Sequence, residues 1–231
     1  MSLVTKKQST KRIYLSTHRR SILKPHLSHE KMTIHIENRN GKKRETFGKL
    51  TLLKEVTLNF GAQHLEKIPC NMIYLTIPII GKVTVICDLP GTIDVGEVQT
   101  NFVGKGKQVV FENHYKKEII HFLLIGLQHD QPERNEIHNL ELEQLTNLFT
   151  DININPSEEN NQILLHLGKF SGRHDQSFNT CQTNAFVYVL QGAFEVQNCL
   201  LEKADGLGLS NIETIEFEAL SNEAILLILE F

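Results

Sequence analysis

Apolar side chains recur at every second position through most of this chain, in short runs separated by glycine-bearing turns. "MTIHIE" alternates from Met32, and "KLTLLKEVTLNF", "KVTVICD", "QVVFEN" and "KEIIHFLLIGL" follow with branched residues at the same spacing. Period two sends successive side chains to opposite faces of a strand, so these runs are expected to be strands. "NRNGKK", "DLPGT", "VGKGK" and "NHYKK" supply the turns between them. Many short strands punctuated by glycine specify a sandwich or a barrel. Residues 130–161 then turn polar around "LELEQLTNLF", whose periodicity fits helix or strand equally, and this region reads as a connector. A second strand set follows in "QILLHLG", "AFVYVLQGAFEVQN", "IETIEFEAL" and "EAILLILEF". "YLTIPIIGKVTV" pivots on Gly81 and "VYVLQGAFEV" pivots on Gly192, so one strand–Gly–strand unit occurs in each half. That pairing implies an internal duplication. A chain of 231 residues has room for two such domains.

The expected architecture is therefore all-β, two jelly-roll barrels in tandem with few short helices. A basic arm is expected over residues 1–30, the first barrel over 31–135 and the second over 136–231. With 40% hydrophobic and 22% charged residues, disorder is excluded on composition. No apolar run approaches the roughly 18 residues of a membrane span, and "AILLILEF" is strand-sized. The polar, basic start lacks the apolar core of a secretory signal. Cys70, Cys87, Cys181 and Cys199 form no CxxC, which argues against a zinc ribbon and for free thiols in the cytoplasm. Residues 1–46 carry 12 Lys and Arg against 3 Asp and Glu, and the remainder carries 12 against 24. A basic arm on an acidic body can contact polyanions weakly, or lie on the protein's own acidic surface. The absence of interleaved aromatics favours the second reading.

No Gly-x-Ser-x-Gly elbow, P-loop or HExxH is present, and "GKGK" lacks the following helix of a phosphate cradle. Longer stretches are more informative. "FGKLTLLKEVTLNFGAQHLEKIPCNM", with Gly81 ten residues after Asn71, resembles the first block of pirin-like proteins, bicupins related to bacterial quercetin 2,3-dioxygenases. "GEVQTNFVGKGKQVVFEN" resembles the second block, and "IIHFLLIGL" the strand that closes the barrel. The resemblance spans about residues 47 to 231 and is weaker in the second half. It implies cupin barrels and, in the family, a metal that is usually iron, held by three histidines and a glutamate in the first barrel.

Carried over without gaps, the family's His-x-His pair falls on Lys67 and Pro69, its later histidine on Val109 and its glutamate on Phe111. The carboxylate of general cupin motifs falls on Ile73. None of these is an ordinary metal ligand. A lysine ammonium about 4 Å from a dication costs roughly 8 kcal/mol at an effective dielectric of about 20. Val109 and Phe111 would fill the cavity with apolar volume. No metal and no cofactor are therefore expected, and the candidate pocket comprises Lys67, Cys70, Ile73, Val109 and Phe111.

His64, Glu66 and His114 are the alternative ligands. Strand alternation places 64 and 66 on one face and 67 and 69 on the other. Ile73, Leu75, Ile77 and Ile79 continue the odd-numbered face, which reads as the interior, so His64 and Glu66 are expected to point outward. In the second barrel the positions equivalent to the His-x-His pair are Phe178 and Thr180, and no histidine follows His174. The leading expectation is a metal-free pirin-like bicupin that binds a small molecule or a protein in a regulatory role. The alternative is an oxidoreductase like quercetin 2,3-dioxygenase, with relocated ligands or a metal-independent mechanism using Lys67 or Cys70. Nucleic-acid contact through the basic arm follows by analogy with the nuclear cofactor role of some pirins. No membrane partner is expected, and both monomer and dimer remain open.

Overall fold

The computed structural model describes residues 9–24, 27–35, 46–87, 90–130, 135–140, 145–155 and 162–231. The chain opens with β1 (Thr10–Tyr14), β2 (Arg20–Lys24), β3 (Ser28–His35), β4 (Leu50–Leu58), β5 (Gln63–Lys67), β6 (Met72–Ile80) and β7 (Val83–Ile86). It continues with β8 (Gly91–Ile93), β9 (Glu97–Val103), β10 (Gln108–Glu112), β11 (Ile120–Gln128), β12 (Glu136–Asn139), β13 (Leu148–Asn153) and β14 (Leu164–Phe170). It closes with β15 (Asp175–Asn179), β16 (Asn184–Gln191), β17 (Ala193–Val196), β18 (Cys199–Glu202), β19 (Gly206–Ser210), β20 (Thr214–Ala219) and β21 (Ala224–Glu230). Among the described residues the helical content is one 3-10 turn, Ser16–His18. No helix among the described residues is long and apolar enough to cross a membrane.

The chain forms two compact units, residues 18–141 and residues 1–17 with 142–231. The N-terminal unit pairs a seven-stranded sheet, β12-β9-β6-β11-β4-β3-β2, with a four-stranded sheet, β5-β10-β7-β8. The C-terminal unit pairs β1-β19-β16-β21-β14-β13 with β15-β20-β17-β18. Strand for strand the orders correspond: β9-β6-β11-β4-β3 with β19-β16-β21-β14-β13, and the small sheets likewise. The duplication read from the sequence is thus a repeat of topology. Gly81 and Gly192 sit at equivalent corners, where a strand of the large sheet leaves for the small one. Both have positive φ, 71° and 78°, which a side chain disfavours. A Cβ on Gly192 would also meet Ser221 Oγ at 2.2 Å.

Each unit packs its own core. In the first, Leu52, Val56, Met72, Tyr74, Phe111 and Phe122 meet. In the second, Phe170, Val187, Phe194, Phe217 and Leu226 do so.

Two expectations are revised here. The basic arm over 1–30 is not one separate element. β1 adds to β19 in the C-terminal unit, and β2 adds to β3 in the N-terminal unit. Some of its charge is spent internally: Arg19 pairs with Glu55 at 3.1 Å, Lys24 with Glu30 at 2.9 Å, and Lys11 donates to the Gln197 carbonyl at 2.7 Å. The basic residues Lys6, Lys7, Arg39 and Lys42 to Arg44 lie outside the described residues. The polar connector also contains strands. β12 pairs with β9 and β13 with β14, because an edge strand needs only one apolar face and its composition then reads as linker.

Candidate functional site

Along β4, Leu52, Val56 and Leu58 belong to the core, and the alternation that buries them carries Lys54 inward as well. Lys54 is paired across β3 with Met32, and Glu30 lies two residues earlier on the same face. From the small sheet, β5 contributes His64 and Glu66. All four polar side chains are buried, with exposures of 1% for Lys54, 2% for His64, 4% for Glu30 and 9% for Glu66.

The lysine ammonium is the hub of this group. It donates to Glu30 Oε2 at 3.1 Å and to Glu66 Oε2, and it lies 3.2 Å from His64 Nε2. His64 Nε2 is in turn 3.0 Å from Glu66 Oε2. Lys24 closes on the other oxygen of Glu30. Two ammonium groups therefore face two carboxylates, and the centre is balanced when His64 is neutral. Burial by itself would raise the Glu66 carboxyl. The hydrogen bond from His64 and the charge of Lys54 outweigh it and bring the pKa down to about 2. Burial likewise opposes ionisation of Glu30, and Lys54, His64 and Lys24 reverse that, so its pKa is lowered too. Tyr74, fully buried beneath the centre, is pushed the other way by burial and then by the negative charges of Glu66 and Glu30.

Donor atoms of Glu30, His64 and Glu66 lie within 4.8 Å of one another, a spacing that a metal ion could bridge. The Lys54 ammonium, however, already lies among the same atoms. A dication bound there would sit about 3 Å from it, a repulsion of roughly 11 kcal/mol at an effective dielectric of about 20. The donors fit a metal by spacing, but the full side-chain set does not fit one while Lys54 is charged.

The face assignment from the sequence is inverted. His64 and Glu66 point inward, whereas Leu65 and Lys67 are exposed. Met72 and Tyr74 join the core, and Ile73, Leu75 and Ile77 are buried on the opposite face of β6. A central strand buried on both sides carries no alternation, so its apolar residues do not tell which face is inside. Residues 68–71 also form a bend between sheets, so a count back from Gly81 does not preserve position. Across β5 and β10, His64 stands opposite Phe111 and Glu66 opposite Val109. It is His64 and Glu66, not Lys67 and Pro69, that face the two positions to which the resemblance carried the later ligands. Val109 and Phe111 are buried in the core, and the Phe111 ring stacks on His64 at 6.0 Å between centroids.

The remaining candidates do not converge. His114 is exposed and lies 3.2 Å from Glu112. Cys70 is half-buried at the core edge, its thiol pKa raised by burial and then by Asp130. Of the pocket expected from the sequence, only Lys67 lines the cavity beside Lys54. Sequence reasoning missed Lys54 and Glu30. The signal for Lys54 was present in "LTLLKEVTL", where a lysine shares the even-numbered face with Leu52, Val56 and Leu58.

The duplicated topology sets a counterpart in the C-terminal unit. Lys54 pairs with Leu124, which pairs with Thr76, five residues before Gly81. His166 pairs with Ile228, which pairs with Val187, five residues before Gly192. His166 is therefore the topological equivalent of Lys54, and it too lies between carboxylates. Its Nδ1 is 2.6 Å from Asp151 and its Nε2 is 2.9 Å from the buried Glu230. The other Glu230 oxygen accepts the Cys181 and Gln182 backbone N–H groups at 2.6 and 2.8 Å. Burial opposes the charged imidazole, but the Glu230 and Asp151 hydrogen bonds and charges prevail, and the His166 pKa is raised. Across β20, Gln176 and Phe178 take the places that His64 and Glu66 hold in the first unit.

Residues 158–230 match the family model of the quercetinase C-terminal cupin domain. Bacterial pirin YhhW from Escherichia coli, solved in complex with nickel(II), has the same fold, with a TM-score of 0.79 at 15% identity over 96% of this chain and 99% of that one. The chain has the bicupin fold. Quercetin 2,3-dioxygenase from Acinetobacter baumannii is similar to the bicupin at a TM-score of 0.65 and 17% identity, covering 94% of this chain and 84% of that one. YhaK from Escherichia coli is similar at 0.66 and 16%, covering 92% and 93%. No curated protein sequence matches the bicupin.

Proposed function

We propose that this pirin-like bicupin works without a metal, as a binding protein of the reducing cytoplasm, with the Lys54 ammonium as the resident cation of its N-terminal unit. The observation that carries the reading is the position of Lys54 Nζ among Glu30, His64 and Glu66, where it satisfies the charge a metal would otherwise satisfy. The free thiols of Cys70, Cys181 and Cys199 are in keeping with that compartment. Elemental analysis of the full chain, purified without chelators, tests it. Substoichiometric metal is the expected result, and near-stoichiometric iron, nickel, copper or zinc dependent on His64 overturns it.

One observation favours a second reading. Glu30, His64 and Glu66 are close enough to hold a metal if Lys54 moves aside. The chain would then be a dioxygenase-like oxidoreductase, in line with the activity named for the Acinetobacter protein and the nickel named for YhhW. Quercetin turnover that appears on adding metal supports this version, and none with or without metal rejects it.

A further inference from the structure

A cavity of about 220 Å³ opens beside the centre, between the edge strand β2 with β3 and the edge strand β5 of the small sheet. At roughly 30 Å³ per water molecule, this is room for about seven waters or one small organic molecule. Four cationic side chains line it (Arg20, Lys24, Lys54 and Lys67) against two carboxylates, Glu30 and Glu66. Lys24 and Lys54 are taken up by those carboxylates. Arg20 and Lys67 are left facing the cavity with no carboxylate in its lining to neutralise them. His64 also lines the cavity, its Nδ1 3.6 Å from Glu30 Oε1. Two unneutralised cations beside a partly apolar wall call for a ligand that brings negative charge. Ile22, Met32 and Leu65 supply the apolar remainder of the wall.

We infer that this cavity binds a small organic anion, a carboxylate or a phosphate monoester. Arg20 and Lys67 hold the anionic head group at the mouth, and the apolar body lies against Ile22, Met32 and Leu65. The guanidinium of Arg20 offers two parallel donors to either head group, and Lys67 adds a point charge. This rests on the reading of Lys54 as the resident cation, because a metal in its place would make the anion a metal ligand.

Calorimetric titration of the full chain tests the inference, with benzoate and phenyl phosphate as the anionic probes and benzyl alcohol as the neutral one. At least one anion is expected to bind ten times more tightly than benzyl alcohol, with an affinity that falls as salt rises. The tighter of the two anions identifies the head group. The double variant Arg20→Gln, Lys67→Gln is expected to lose ten-fold or more in anion affinity while keeping its unfolding midpoint, since both side chains are exposed. Lys203→Gln, in the other unit, leaves the affinity unchanged. Equal binding of anions and alcohol, or undiminished anion binding by the double variant, overturns the inference. Metal analysis of the same preparation separates the two failures. Anion binding lost from metal-free protein refutes only the ligand class, and stoichiometric metal refutes only the resident-cation reading.

Discussion

Replacing Lys54 by methionine tests the site most directly, because it keeps most of the apolar stem and removes the charge and its donors. Two buried carboxylates then face each other with Lys24 as their one remaining ammonium. Removing one partner of a buried ion pair costs about 3–5 kcal/mol, largely because the other charge is stranded. Lys54→Met is therefore expected to destabilise the N-terminal unit by that amount at pH 7 in the presence of EDTA. Hydrogen exchange at the β4 and β5 amides reads this unit separately from the other. The deficit should shrink as the pH falls below 4.5, the ordinary carboxyl value, where a proton replaces the missing ammonium. It should also shrink with nickel(II), since Glu30, His64 and Glu66 then hold a metal without opposition. A hundred-fold excess over the dissociation constant returns about 2.7 kcal/mol. A variant as stable as the parent in EDTA, or equal nickel uptake by both, refutes the reasoning.

The remaining predictions concern other parts of the molecule. His166 has a raised pKa, so its contribution to stability is complete below 6.5 and is lost as the pH rises through the higher folded-state value. Urea unfolding should show that alkaline loss in the parent and not in His166→Asn. Gly192→Ala combines a positive φ with a 2.2 Å approach to Ser221 Oγ and should cost about 1–3 kcal/mol. Gly81→Ala, whose nearest contact is 2.9 Å to Ile120, should cost less in the same thermal assay. Of two residues onto which the sequence resemblance carried ligands, Phe111→Ala should cost about 3–5 kcal/mol and Lys67→Ala less than about 0.5 kcal/mol, since the first is in the core and the second is exposed.

Much of the architecture was legible before any coordinates. Period-two runs, glycine turns and the two pivots at Gly81 and Gly192 were enough for an all-β chain with a repeated topology. The site was less legible. His64 and Glu66 were singled out as a possible pair, but β6 is apolar at both parities and hid which face was inside. Lys54 could have been found from the alternation of its own strand. Glu30 could not, because it lies in a basic segment and meets Lys54 only through the register of its own strand, β3, on β4.

The sequence by itself determined the core strands, their corners and the duplication, because these depend on local periodicity and on backbone conformations that glycine alone adopts easily. Only the tertiary structure decided that Lys54, Glu30, His64 and Glu66 form one centre. They come from three strands in two sheets, and their ionisation is set by mutual distance and burial, quantities that no local pattern encodes.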